Sequence, residues 1–123
     1  MRHIHDHKLN GLNEAIEIKA GEPRSCGASR EYEFSLVAPG RIPTSLPTIF
    51  FQDGPIQSPT DYNGLTNEAV LAVVIDRMRG FQSGPFACRE NAIALTKMEE
   101  ALMWLQKRTR DRLARGVEGT LQK

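Results

Sequence analysis

Gly84-Pro85 is the feature that most narrows the folds open to this chain. Proline lacks an amide N–H and biases the residue before it away from helix, so a helix stops at such a pair. Upstream, "TNEAVLAVVIDRMRGFQ" (66–82) sets Leu71, Val74, Ile75 and Met78 in a stripe at helical spacing. Thr66 is suited to the N-cap, and Glu68 falls in the first turn, where an acidic group is favoured. Downstream, "RENAIALTKMEEALMWLQKRTRDRLARG" carries a second stripe, Leu95, Met98, Leu102 and Leu105, and ends on Gly116. Glycine suits the left-handed position just beyond a helix. Two stripes joined by a short Gly-Pro turn specify an antiparallel helical hairpin.

The two helices are unequal. At 1.5 Å per residue the first spans about 25 Å and the second about 40 Å. The second therefore overruns its partner by about two to three turns. On that overhang the row Ala94, Met98, Ala101, Leu105 continues into Arg108 and Arg112, so an apolar row becomes guanidinium where the partner helix runs out. Such an end needs another surface, from the rest of the chain or from a second subunit.

The first half alternates with period two, as half-buried strands do. "AIEIK" (15–19) puts Ile16 and Ile18 on one face; "EYEFSLV" (31–37) puts Tyr32, Phe34 and Leu36 on one face and Glu31, Glu33 and Ser35 on the other. "TIFFQ" (48–52) is a third strand candidate, and Gly/Pro-rich stretches separate the three. The proline-rich stretch 38–47 reads as a surface loop. The fold class expected is α+β: a small N-terminal antiparallel sheet, then a C-terminal two-helix hairpin. Residues 1–58 form the β-rich segment and 59–123 the hairpin, packed with the sheet as a single compact unit.

Composition excludes more than it selects. A 123-residue chain can bury a core without a disulfide or metal. The net charge of +1 gives no general attraction to polyanions. Five cations between Lys107 and Arg115 stand against one anion, Asp111, so the charge is local. The longest apolar run, Ala69–Ile75, is too short to span a membrane, and "MRHIHDHKLNG" has no secretory apolar core. Cys26 and Cys88, far apart, read as free thiols in a reducing cytosol. His3, His5 and His7 alternate, but at a chain end they read as a tail with stray metal affinity. No phosphate-cradling glycine loop, zincin motif or nucleophile elbow is present.

Two groups can bind an anion or a base. At the turn, Arg89, Glu90 and Asn91 open the second helix, where free N–H groups favour an anion. Asn91 offers donor and acceptor to a base edge, and Phe81 a stacking face. At the far end, Arg108 and Arg112 present planar forks suited to phosphate. Structural roles compete for each: Phe81 as a plug in the turn, Asn91 satisfying a helix end, the arginines complementing the helix dipole. The groups lie about 25 Å apart along the helix, so one small ligand cannot reach both on one chain. A shared site has to be built between subunits, most simply with hairpins antiparallel about a two-fold axis.

From "FQDGPI" (51–56) through "NGLTNEAVLAVVIDRMRGFQSGPFACREN" to "RDRLARGVEGT", the chain closely resembles the first-described Thoeris anti-defence family of phage proteins. Its hairpin is shared with a phage anti-CBASS family. The strong match covers roughly residues 48–120; residues 1–47 match in style only, through "NEAIEIKAGEP". Where many relatives have "VNG" and "EGTH", this chain has "YNG" (Tyr62, Asn63, Gly64) and "EGTL", ending on Leu121.

The resemblance implies a sponge: a binder of cyclic nucleotide signals from TIR-domain sensors, chiefly glycocyclic ADP-ribose (gcADPR) isomers, that does not cleave them. It also implies cyclic di- or trinucleotide binding at a separate site, and a homodimer that assembles to a hexamer as a trimer of dimers. The family's ligand contacts fall on Phe81, Asn91, Arg108 and Arg112 between subunits, with Arg89, Arg24, Arg30 and Thr109 as further candidates. No cofactor, metal, membrane or DNA is implied, and the place of action is the cytoplasm of the infected bacterium. The alternatives from other classes are a cyclic-nucleotide hydrolase, which needs a nucleophile or metal, and a small nucleic-acid-binding protein, which rests on the arginines alone.

Overall fold

Alternation of apolar and polar residues builds a sheet in the first half, and the computed structural model, which describes residues 1–116, has the expected α+β order. Strands β1 (Arg2–Ile4), β2 (Ile16–Ala20), β3 (Glu31–Leu36), β4 (Thr44–Ser45) and β5 (Ile49–Phe50) precede two long helices. A one-turn helix, α1 (Gly11–Glu14), lies between β1 and β2, and α2 (Asn67–Gln82) and α3 (Arg89–Arg115) follow the sheet. The chain divides into two units. Met1–Gly54 and Ser58–Leu65 form the first; Pro55–Gln57 and the chain from Thr66 onward form the second.

In the first unit every strand pair is antiparallel, in the order β1-β2-β3-β4, with β5 also on β3. The register places Ile16 opposite Leu36 and Ile18 opposite Phe34, so the apolar residues of β2 and β3 share a face. Ile4 of β1 extends it beside Ile18. Lys19 stands opposite Glu33 on the other face, a favourable cross-strand charge pair. The core of this unit is thin: Ala15 and Ala20 are its buried apolar residues, and buried Ser29 is satisfied by donating to the Gly21 carbonyl at 2.7 Å.

Three short elements within the first 45 residues were not expected. β1 turns the N-terminal histidine segment from a tail into an edge strand, with His3 opposite Lys19. The His3 and His5 rings stack 5.9 Å apart, while His7 donates from Nε2 to the Ile16 carbonyl at 2.7 Å. α1 is capped by Asn10, whose side chain accepts from the Asn13 N–H at 3.1 Å. β4 pairs inside the proline-rich stretch read as a loop. Each holds few residues, and β1 and β4 are set by pairing with β2 and β3 rather than by a period of their own, so local pattern carries little of the signal.

Glu17 ties this edge together. Lys8 Nζ lies 2.6 Å from its carboxylate, and that hydrogen bond is the main cause holding the carboxyl below its ordinary value of 4.5; burial works the other way, and the charges of Lys8, His3 and His5 assist. A lowered carboxyl contributes stability that is fully present above its unfolded value and lost as pH falls through the folded one. Protection of the β1 and β2 amides, taken relative to the intrinsic exchange rate at each pH, is therefore expected to fall as pH drops below 4.5. Lys8→Met should remove most of that dependence, and an acid titration followed by NMR checks it.

Local signals set the second unit. Thr66 caps α2, its hydroxyl accepting from the Ala69 N–H at 3.0 Å. Gly116 ends α3 with φ 72°, the left-handed conformation that glycine reaches without a steric penalty. α2 and α3 pack together, with Arg79 and Glu99 paired at 2.8 Å across them. Ile75, 2% exposed, is the buried apolar residue of the hairpin, and Leu71, Met78, Leu95, Met98, Leu102 and Leu105 are half-buried around it. Val74, placed in the stripe from sequence, is exposed. Among the described residues no helix is long and apolar enough to cross a membrane.

Candidate functional site

The hairpin turn is built by the two helix ends it joins. Gly84-Pro85 stops the backbone, and Cys88 starts α3 as its N-cap, with Sγ accepting the Asn91 N–H at 3.5 Å. Asn91 donates from Nδ2 to the Phe86 carbonyl, also at 3.5 Å, a long bond that a ligand can readily displace. Phe81, in the last turn of α2, packs edge-on to Phe86 at 6.4 Å, and the Arg77 guanidinium lies 5.4 Å from its centroid. The ring stays 38% exposed, so the turn does not consume it as a plug. Phe81 and Asn91 are thus linked through Phe86 as one group. Arg89, beside them in the first turn of α3, is exposed.

At the far end of α3, the inward row runs through Leu102, Leu105, Thr109 and Arg112 rather than through Ala101 and Arg108, which are exposed. The stripe Leu95, Met98, Leu102, Leu105 expected from sequence thus faces inward, whereas the row through Ala101 and Arg108 does not. Thr109 donates its hydroxyl to the Leu105 carbonyl at 3.3 Å and is half-buried. Arg112 is 4% exposed. Arg108 opens onto a broad depression of about 830 Å³ lined by Trp104, Lys107, Asp111 and Arg115 as well. Lys107 and Asp111 pair at 2.7 Å and largely cancel, leaving the arginines to give the surface its positive sign. Trp104 is 66% exposed beside them. Its membership in this group was legible, because 104, 108, 111 and 115 follow helical spacing.

The structure brings Phe81, Asn91 and Arg89 together at one end of the hairpin and Arg108, Thr109 and Arg112 at the other. It does not bring the two groups together within a chain. Arg24 and Arg30 belong to the first unit, where both line a cavity of about 450 Å³. Arg24 is paired with Asp53 at 3.0 Å; Arg30 donates to the Asn63 carbonyl at 2.7 Å and lies 5.0 Å from the Phe50 ring centroid. Glu22 and Glu31 line the same cavity, so its charge is mixed. Among the described residues no cluster of three or more His, Cys, Asp or Glu is arranged to hold a metal.

Asn63 and Gly64 have a structural role. Asn63 exchanges hydrogen bonds with the Asp53 backbone, donating to its carbonyl and accepting from its N–H, both at 2.8 Å. Gly64 lies directly against the Phe50–Phe51 backbone. Tyr62, the departure from the usual motif, is exposed. The other departure, Leu121 in "EGTL", lies outside the described residues.

Comparison with known proteins agrees with the hairpin. A protein of Bacillus phage SBSphiJ7 named "Thoeris anti-defense 1" is 55% identical over 80 residues, 63% of this chain and 54% of that protein. The chain thus spans about half the length of that relative. The family model described as "Acb2/Tad1, hairpin domain" matches residues 45–110, more than half of the sequence and the whole of α2 with most of α3. With a stretch this long matched across the turn and both helices, the chain belongs to the Acb2/Tad1 hairpin-domain family.

Proposed function

We propose that this protein is a phage anti-defence sponge: it binds gcADPR-type cyclic nucleotide signals, holds them without cleavage and so blocks Thoeris immunity in the host cytoplasm. The observation that carries the reading is that two ligand-competent groups stand at opposite ends of the hairpin, about 25 Å apart along α3. A stacking ring and an amide stand at one end, guanidinium groups at the other. Neither group alone fits both the base and the pyrophosphate of an ADP-ribose ring.

A second copy completes the site. Val73, Ile93, Met103, Trp104 and Leu113 are exposed on the hairpin, more apolar surface than one pair of helices can cover. Antiparallel association about a two-fold axis covers such a surface and sets Phe81 and Asn91 of one chain beside Arg108 and Arg112 of the other. The arginines then hold phosphate through charge-assisted bonds, while Phe81 stacks on the base and Asn91 reads its edge. The naming of the phage relative supports the biological setting. Hexamers and a second site for cyclic di- or trinucleotides are extensions of the same reading.

Sequestration works by mass action. With sites in excess of signal and a Kd below the sensor's threshold, free messenger falls until the sensor is silent. Heat-denaturing a protein–gcADPR mixture is expected to return the nucleotide at its intact mass. Linear product in the supernatant would mean hydrolysis and sink the sponge.

A further inference from the structure

The chain twice writes Phe-Gln-x-Gly-Pro, as "FQDGP" at 51–55 and "FQSGP" at 81–85. The two copies share no secondary structure: Phe51 and Gln52 follow a strand, whereas Phe81 and Gln82 end a helix. What they share is the use of the glutamine. Gln52 accepts the Asn63 N–H at 3.0 Å on Oε1 and donates from Nε2 to the Asp61 carbonyl at 2.8 Å and the Gly54 carbonyl at 3.4 Å. Gln82 accepts the Cys88 N–H at 3.1 Å on Oε1 and donates from Nε2 to the Cys88 carbonyl at 3.2 Å. In both, a half-buried carboxamide closes a loop across the Gly-Pro break by pairing with backbone N–H and C=O groups beyond it.

The physical reason is an accounting one. A Gly-Pro break removes regular backbone pairing, and the N–H and C=O groups beyond it still need partners. A primary amide carries one acceptor and two donors, so it can stand in for a stretch of missing backbone. Gln82 sits where this matters for ligand binding. Cys88, which it grips by both backbone polar groups, is the N-cap of α3 and accepts the Asn91 N–H on Sγ. Phe81 is the residue immediately before Gln82. One side chain therefore ties the end of α2, which carries the stacking ring, to the start of α3, which carries the reading amide.

We infer that Gln82 is a positioning residue for the nucleotide site, clasping Cys88 so that Phe81 and Asn91 are held at a fixed separation before any ligand arrives. The inference rests on the sponge reading for its functional half and on the hydrogen bonds alone for its structural half. Glutamate in place of Gln82 keeps the acceptor and loses the donor; methionine has nearly the same shape and keeps neither.

The test compares Gln82→Met and Gln82→Glu with the unaltered full-length protein by amide hydrogen exchange without ligand and by calorimetric titration with gcADPR. In Gln82→Met, Cys88 exchange is expected to rise roughly tenfold and affinity to fall roughly tenfold, the size expected for losing a pair of ordinary hydrogen bonds. Amides in the middle of α2 and α3, such as those of Ile75 and Leu102, should keep their rates, which separates a local clasp from general destabilisation. Gln82→Glu should fall between the two in Cys88 protection. Gln52→Met should move the Asn63 amide and leave Cys88 unchanged.

Unchanged exchange at Cys88 in Gln82→Met overturns the clasp whatever the titration gives. Faster exchange at Cys88 with unaltered affinity overturns the positioning role. If the unaltered protein binds no gcADPR, the sponge reading fails instead, and Cys88 exchange still decides the clasp.

Discussion

Arg108→Ala is expected to weaken gcADPR binding about 100-fold while leaving helix content and thermal unfolding as they were. Both halves follow from where the side chain sits. Arg108 is exposed, and among the described residues it makes no hydrogen bond or ion pair, so removing it takes nothing from the hairpin's packing. In the proposed complex it meets phosphate in a partly desolvated interface, where a charge-assisted bond contributes about 1.5–3 kcal/mol. That range corresponds to roughly one to two orders of magnitude in Kd. Arg108→Lys should recover only part of the loss, since an ammonium keeps the charge without the planar fork. Arg112→Ala differs. Arg112 is 4% exposed, so its loss should lower the melting temperature along with the affinity. Calorimetric titration beside a thermal melt separates the two arginines. Unaltered affinity in Arg108→Ala removes the phosphate clamp from the proposal.

Gly64→Ala is expected to cause the largest loss of stability in the first unit. A Cβ at this position would stand 2.5 Å from the Phe51 carbonyl carbon, 2.6 Å from the Phe50 oxygen and 2.7 Å from the Phe51 oxygen. All three are backbone atoms, so no rotamer change relieves the clash. Nor can the two segments part cheaply. Gln52 donates to the Leu65 carbonyl at 2.7 Å, and Leu65 donates to the Phe50 carbonyl at 2.8 Å. Overpacking of this kind costs about 3 kcal/mol at its upper range. Exchange at the Gln52 and Leu65 amides should rise more than tenfold, and the sheet should lose its near-native chemical shifts at a lower denaturant concentration. A variant with unaltered exchange at both amides would contradict the close approach. The glycine of "YNG" is thus required by a neighbouring backbone rather than by a ligand.

The departures from the sequence-based expectations have specific causes. Of the two overlapping rows read on α3 from sequence, the structure turns inward the stripe Leu95, Met98, Leu102 and Leu105, continuing to Thr109 and Arg112, and leaves Ala101 and Arg108 exposed. Each residue advances about 100°, so two adjacent rows fit one apolar face equally well, and the partner helix chooses between them. The same choice leaves Val74 outside and buries Ile75. For β1 and β4 the deciding contacts are cross-strand pairs with β2 and β3, Arg2 with Ala20 and Thr44 with Leu36, and such short segments carry no period of their own. Arg24 and Arg30 looked alike as candidate cations, yet each is engaged within its own unit by Asp53 or Asn63.

The sequence by itself determined the elements whose cause is local. Proline and glycine ended the helices, Thr66 started one, and period two set the shared face of β2 and β3. It also placed two ligand-competent groups too far apart to serve one molecule on one chain, because helix rise is fixed by the backbone. Only the tertiary structure decided which of two equivalent rows turns inward, which arginine is buried and which open, and why Phe-Gln-x-Gly-Pro occurs twice. Those answers depend on partners across a helix interface or at the far side of a loop. The glutamine amide has no preferred partner until the loop closes, so the repeat was visible in the sequence and its purpose was not.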